Sequence, residues 1–175
     1  MVRALLTLVL LMAAEAGAVV YQPPEQFVAE AFGGDPPSAQ ALWLDGDLKA
    51  ALTGIFGHAP VMLRIRYWQR DERSVWILEE IGKEKPITTG VVVDEGAIAD
   101  VRVLAFRESR GWEIRYPFFT DQFQARRLTQ DSELDGAIDG ITGATLSVRA
   151  MKKMARAALR LDRHARESRE TSAAL

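Results

Sequence analysis

One threonine, Thr145, lies in a run of small residues that would leave its hydroxyl open to chemistry. The run spans residues 139–145 and precedes a segment whose spacing predicts a long amphipathic helix. Gly143 permits a tight or left-handed turn and Ala144 adds almost no bulk, so the hydroxyl could be reached from outside. A phosphate esterified there would lie at a helix N-terminus, where unpaired N–H groups and the dipole favour negative charge. The residues alone therefore predict a phosphate site at Thr145.

The same pattern also fits a plain helix start. Thr142, Thr145 or Ser147 could be the N-cap, and the glycine could serve the turn alone. The chain would then be a cofactor-free binding module, which remains an alternative.

Composition limits the chemistry further. The chain has no cysteine, which excludes disulfides, thiolate-bound iron–sulfur clusters, Cys-x-x-Cys-His haem attachment and cysteine nucleophiles. His58 and His164 are too far apart in sequence to indicate a metal site by spacing. A net charge of −2 gives no indication of nucleic acid as a partner. Redox chemistry in this chain would therefore need an organic cofactor.

The N-terminus predicts a secretory signal peptide over residues 1–18. A basic start at Arg3 is followed by an apolar run, residues 4–14, and by small residues at Ala16 and Ala18. The run is shorter than the roughly 20 residues that span a bilayer, although an uncleaved membrane anchor is the alternative. We expect a periplasmic or otherwise extracytoplasmic protein, with one domain over residues 19–166 and a flexible tail over 167–175.

The remaining pattern predicts an α+β fold, in which an antiparallel sheet has helices packed against it. Short polar links between successive strands favour antiparallel pairing, because parallel pairing needs long crossovers. The predicted strands are 63–67, 75–78, 87–93 and 98–106, with a possible fifth at 112–116, and the predicted helices are 24–32, 45–57 and 147 onward. The last helix has an apolar stripe and a basic face, for which solvation is favoured over docking of an acidic partner. Residues 69–73 are expected to be a polar connection.

The run around Thr145 resembles the flavinylation motif of the FMN-binding domain family, Asp-x-x-(Ser/Thr)-Gly-Ala-Thr. Asp139, Thr142, Gly143, Ala144 and Thr145 match it in register. The resemblance implies that Thr145 carries FMN covalently through a phosphoester bond. It also implies that Asp139 belongs to the sequence recognised by a flavin transferase, which uses FAD and a divalent metal.

A second loop bears a weaker resemblance. Relatives in the sodium-pumping NADH:quinone reductase and Rnf complexes often have Glu-Thr-Pro-Gly close to the flavin, and this chain has Glu108-Ser109-Arg110-Gly111 at the matching place. The resemblance implies flavin contacts from Glu108, Ser109 and Gly111, and Gly111 would let the backbone approach a flat ring closely. We expect the ring to lie between this loop and Thr145, partly open to solvent. One of the aromatic residues that follow could stack on it: Trp112, Tyr116, Phe118 or Phe119.

These inferences predict an exported electron-transfer flavoprotein that exchanges electrons with a membrane-bound donor or acceptor. The protein would supply attachment, orientation and electrostatics, and the ring would do the chemistry. It would contain no haem or iron–sulfur cluster, and it would need the flavin transferase for maturation. The alternative enzyme is a small flavin-dependent reductase, which would need a pocket beside the ring deep enough for a soluble substrate.

We predict that the signal peptide is cleaved after Ala18, because small residues occupy positions 16 and 18 at the end of the apolar run. N-terminal sequencing of the exported protein should therefore begin at Val19. A sequence that still begins at Met1 would instead indicate a membrane-anchored chain.

Overall fold

The structure, a computed structural model, describes residues 18–173. The predicted signal peptide thus lies, except for Ala18, outside the described residues. The strands are β1 (Val19–Val20), β2 (Gln40–Trp43), β3 (Arg64–Arg70), β4 (Arg73–Ile81), β5 (Pro86–Asp94) and β6 (Ala97–Phe106). The helices are α1 (Pro24–Ala31), α2 (Gly46–Phe56), α3 (Pro117–Thr120) and α4 (Thr145–Ala173), and 3₁₀ turns span Trp112–Arg115 and Asp121–Phe123. No helix within the described part is both long and apolar enough to cross a membrane.

The six strands form one sheet in the order β1-β6-β5-β4-β3-β2, and every neighbouring pair is antiparallel. The predicted α+β class and antiparallel pairing are confirmed. The hairpin between β5 and β6 turns through Glu95 and Gly96, which both have positive φ, at 50° and 73°. Positive φ at both central residues matches the twist of the flanking strands, which explains why so short a link suffices.

Helix α4 fills the main core on one face of the sheet. Its predicted apolar stripe is confirmed as buried: Val148, Met151, Met154, Ala155, Ala158 and Leu161. These side chains share a core with residues of the strands and of α2. Helix α2 begins after Asp45, whose carboxylate accepts the Leu48 N–H at 2.7 Å, and ends at Gly57 in a left-handed conformation.

Helix α1 covers the opposite face of the sheet with a smaller core. Phe27 and Val28 pack there against Val75, Val92 and Leu104. The Phe27 ring lies directly over Gly90 in β5, so that a Cβ at position 90 would overlap three of its ring atoms.

The predicted fifth strand at 112–116 is wrong. Trp112 and Tyr116 are 41% and 37% exposed, and only Ile114 between them is fully buried, which suits a short helical turn better than a half-buried strand. Gly111 precedes this turn with φ +87°, which redirects the chain away from the sheet. Strands β1 and β2 were not predicted, because two and four residues carry too little periodicity.

Two predicted boundaries also need correction. Leu63 is 69% exposed and precedes β3, so the alternating pattern begins one residue later than expected. The predicted polar connection 69–73 is mostly strand, because β3 and β4 meet at Asp71 and Glu72. Asp71 adopts φ 52°, which allows that two-residue turn.

The predicted solvation of the basic face of α4 is wrong for several of its cations. Lys153 bonds the buried Glu80 carboxylate at 2.9 Å and also the Phe56 carbonyl. Arg156 pairs with Glu133 at 2.7 Å and also bonds the Ser132 carbonyl, and Arg163 bonds the Leu128 carbonyl. These side chains hold the helix to the segments around it. Residues 167–173 continue the helix, and their flexibility stays a prediction.

We predict that Gly90→Ala lowers the free energy of unfolding by about 1–3 kcal/mol, since overpacking against the Phe27 ring forces a shift of α1. The matched control is Gly54→Ala in α2, where an added Cβ meets nothing within 4 Å. That control should raise the free energy of unfolding by roughly 0.5–1 kcal/mol through helix propensity. Urea unfolding of both variants tests the contrast, and equal effects would contradict it.

Candidate functional site

A cleft of about 600 Å³ opens where three segments meet: the start of α4, the loop after β6 and the turn between β4 and β5. Its lining comprises Lys83, Glu108, Ser109, Arg110, Gly143, Ala144, Thr145, Leu146 and Ser147. The antiparallel register brings these segments together, because Ile81 pairs with Pro86 and Ile87 pairs with Phe106. The β4–β5 turn and the end of β6 therefore lie at the same edge of the sheet.

Thr145 is the first residue of α4 and is exposed at the cleft. Gly143, two residues earlier, has φ +83°, so the predicted left-handed turn is confirmed. The Ala144 N–H bonds the Ile141 carbonyl at 3.0 Å, and the Ala144 carbonyl accepts the Val148 N–H at 2.9 Å. The second bond makes Ala144 the N-cap residue. The alternative in which Thr142, Thr145 or Ser147 caps the helix is thus not what the structure shows.

Because its N-cap residue is alanine, the first turn of α4 has unpaired backbone N–H donors. Alanine has no side-chain oxygen, and the N–H groups of Thr145, Leu146 and Ser147 have no acceptor among residues 18–173. Such groups, together with the dipole of a 29-residue helix, favour an anion at this end.

Gly111 joins the loop after β6 to the helix start. A Cβ at this position would lie 2.7 Å from Ser147 Oγ and 3.3 Å from the Ala144 Cβ. Gly111 is therefore needed for close packing against α4, behind the cleft, in addition to its positive φ. This reason differs from the expected approach to a ring. Ser147 is itself buried, which leaves Thr145 as the accessible hydroxyl of the helix start.

Glu108 binds the protein's own backbone. Its Oε1 atom accepts the N–H groups of Lys83, of Glu84 at 2.7 Å and of Lys85 at 2.9 Å. Burial alone would raise the pKa of the Glu108 carboxyl, but these backbone donors outweigh it and hold the pKa below its ordinary value. The carboxylate therefore closes the β4–β5 turn at the edge of the cleft, a role that the sequence analysis did not foresee.

The structure places the other predicted site residues in two groups. Ser109, Gly143 and Thr145 are exposed at the cleft, and Ala144 lines it although it is largely buried. Asp139 and Thr142 are exposed but do not line the cleft. The Asp139 N–H bonds Gln122 Oε1 at 2.7 Å, which ties the approach to the turn to the segment after α3.

The aromatic residues after Gly111 divide between core and surface. Phe119 is fully buried against Phe123, so it belongs to the core. Trp112, Tyr116 and Phe118 are exposed. Trp112 directly follows Gly111, and stacking by this ring stays a prediction.

Lys83 lines the cleft but lies outside the two segments that the sequence predicted to form the site. It lies in the turn Gly82–Lys85, which looks like an ordinary charged connection between strands. The signal that could have found it is the strand register, because pairing of β5 with both neighbours places this turn beside residue 108.

The cleft is chemically suited to a phosphate. Its donors are the unpaired N–H groups of α4 and the cations of Lys83 and Arg110, and the Thr145 hydroxyl stands among them. The Glu108 carboxylate, the one acid in the lining, is already compensated by three N–H groups.

Residues 82–160 match the family model of the FMN-binding domain. This segment begins at the β4–β5 turn, ends within α4 and contains every residue that lines the cleft. It belongs to the FMN-binding domain family, as the motif at Thr145 indicated, and the chain is a flavin-binding protein. No curated protein matches the chain.

We predict that Glu108→Ala lowers the free energy of unfolding at neutral pH by about 1–2 kcal/mol, comparable to the loss of a strong helix cap. Because its folded pKa is depressed, the contribution of Glu108 is present above its ordinary pKa of 4.5 and is lost as the pH falls through the lower folded value. Urea unfolding at neutral and acidic pH should show the variant's deficit shrinking with acidification. The control is Glu84→Ala in the same turn, an exposed carboxylate whose loss should matter little at either pH. A pH-independent deficit for Glu108→Ala would contradict the prediction.

Proposed function

We propose that this protein is an exported electron-transfer flavoprotein that carries FMN through a phosphoester on Thr145. The observation that carries the proposal is the helix start itself, where an accessible hydroxyl lies beside N–H groups that have no acceptor within residues 18–173. A phosphodiester at Thr145 would bring one negative charge to those donors. The membership of residues 82–160 in the FMN-binding domain family supports FMN as the attached group.

The residues around Thr145 would have different roles in the attachment of FMN. Gly143 turns the chain so that Thr145 begins the helix, and Ala144 leaves the approach uncrowded. Asp139 and Thr142 are exposed on the preceding segment, where a flavin transferase could contact them without entering the cleft. Because they do not line the cleft, we assign Asp139 to recognition by that enzyme rather than to the bound flavin.

Within the proposed function, FMN supplies the redox chemistry, and the chain binds and orients it. Helix α4 offers its N–H groups to the phosphate, while the loop at Ser109 and Arg110 forms the facing wall. The cleft is open at the surface, which suits exchange of electrons with a membrane-bound donor or acceptor. The role of an electron carrier, the partner and the extracytoplasmic location all belong to the proposal.

We predict that Thr145→Ala abolishes covalent flavin while the fold is retained. The wild-type chain and the variant should each be exported from cells that contain a flavin transferase, then denatured and desalted. The wild-type chain should remain yellow and gain the mass of FMN less one water, whereas the variant should be colourless and unmodified. Because Thr145 is exposed and does not cap the helix, the free energy of unfolding of the two unmodified chains should differ by less than about 1 kcal/mol.

The control is Ser147→Ala, which removes a neighbouring hydroxyl that is buried against Gly111. It should leave the covalent flavin in place. A Thr145→Ala protein that stays yellow after denaturation would place the attachment elsewhere. A wild-type protein that binds flavin only without a covalent bond would refute the phosphoester. Turnover of a soluble reductant or oxidant in the absence of any protein partner would instead favour the flavin-dependent reductase.

A further inference from the structure

We infer that Lys83 supplies the positive charge that faces the bound flavin, and that Glu108 is the positioning residue that holds Lys83 at the cleft. This inference rests on the proposed function of the Thr145 site. It assigns a role to a turn, residues 82–85, that neither the motif at Thr145 nor the loop after β6 includes.

The turn at residues 82–85 is held in place by Glu108. Gly82 donates its N–H to the Lys85 carbonyl at 3.1 Å, and the next three N–H groups converge on the single Oε1 atom of Glu108. Successive backbone N–H groups around one oxygen form an anion-binding concavity, here filled by a side chain of the same protein. The conformation of the turn is thus fixed from the loop after β6, which lines the same cleft as Thr145.

The Glu108 carboxylate packs closely against Gly82. A Cβ at position 82 would lie 2.9 Å from Glu108 Oε1 and 3.0 Å from Ile87 Cδ1. Glycine at this position therefore allows the carboxylate to reach the backbone of the turn. Because Oε1 already accepts three N–H groups, Glu108 serves the cleft through the turn rather than by binding the flavin.

The Lys83 ammonium group is only weakly engaged within the protein. Lys83 lines the cleft with Thr145, and its only ion pair among the described residues is with Glu84 at 3.1 Å. The two side chains are 70% and 69% exposed. An ion pair this exposed contributes little to stability, so Lys83 can leave Glu84 for another anion. The ammonium group is therefore available to an anion in the cleft. Lys85, in the same turn, does not line the cleft.

The chemical consequence follows from charge. When the oxidised ring takes up two electrons and one proton from its donor, it gains one negative charge overall. A cation beside the flavin stabilises this reduced form more than the oxidised form, so Lys83 should raise the reduction potential. An exposed site weakens the effect through solvent and salt, and low ionic strength is the condition in which to measure it.

The test uses the full chain carrying its covalent flavin and compares Lys83→Gln with the matched control Lys85→Gln. At low salt we expect Lys83→Gln to shift the two-electron equilibrium about threefold toward the oxidised flavin, which corresponds to about 15 mV. The shift should shrink at high salt, and Lys85→Gln should produce less than half of it. A potential for Lys83→Gln equal to that of the wild type, or to that of Lys85→Gln, overturns the assignment.

The positioning role of Glu108 needs a double-mutant cycle, because removal of its own negative charge would raise the potential directly. The change in reduction potential caused by Glu108→Ala is measured in two backgrounds, the wild type and Lys83→Gln. We expect this change to be more negative in the wild type, because only there does the loss of Glu108 also displace the Lys83 ammonium group. Glu108→Gln keeps an acceptor oxygen and should restore part of the effect of Lys83. Identical effects of Glu108→Ala in both backgrounds overturn the positioning role.

The melting temperature of the chain without flavin separates effects on stability from effects on the reduction potential. Glu108→Ala should lower the melting temperature of protein without flavin, whereas Lys83→Gln should leave it unchanged because its ammonium group is exposed. The failure modes also differ. A wild-type chain without covalent flavin refutes the proposed function. A flavin-loaded chain whose reduction potential is the same with and without Lys83→Gln refutes only this inference.

Discussion

The contact between Gly111 and the start of α4 is the constraint on which the site depends. The sheet fixes where β6 ends, and the main core fixes where α4 lies, and the loop after β6 can pack closely on the start of α4 because no side chain stands at position 111. Ser147 and Ala144 occupy that space. The cleft is the open side of this junction, so its shape is set by packing in the interior rather than by the loops that line it.

A second set of contacts keeps α4 from sliding along the sheet. The buried Glu80 carboxylate receives Lys153 from the helix and His58 from the segment after α2, at 2.9 and 3.0 Å. Farther along, the buried Asp162 bonds Ser74 of β4 at 2.7 Å and Arg166 at 2.9 Å. Burial raises the pKa of Asp162 despite these partners. Polar contacts at two levels of the same helix tie its register to one strand, β4, whose end leads into the turn at Lys83. A shift of the helix would thus move both walls of the cleft together.

The sequence predicted what depends on local pattern. Alternating residues gave the central strands, and the apolar stripe gave the face of α4 that is buried. Gly143 and Thr145 were found because the motif is contiguous in the chain. Roles that depend on a distant partner could not be predicted in this way. The bonds of Glu108 to the backbone of residues 83–85 appear only once the strand register is known, and a contact of Glu108 with the flavin stays a prediction.

The alanine at position 144 has a consequence for how the unmodified chain behaves. A helix that starts without a capping side chain leaves backbone donors of its first turn unpaired, and here the N–H groups of Thr145, Leu146 and Ser147 have no acceptor among residues 18–173. Any anion bound there acts as the missing cap and tightens the turn that holds it. Under the proposed attachment at Thr145, the local order of residues 143–147 would therefore depend on whether the flavin has been attached. A bare chain would leave these N–H groups without an acceptor, whereas in a chain that carries the flavin the cofactor would complete the start of the helix.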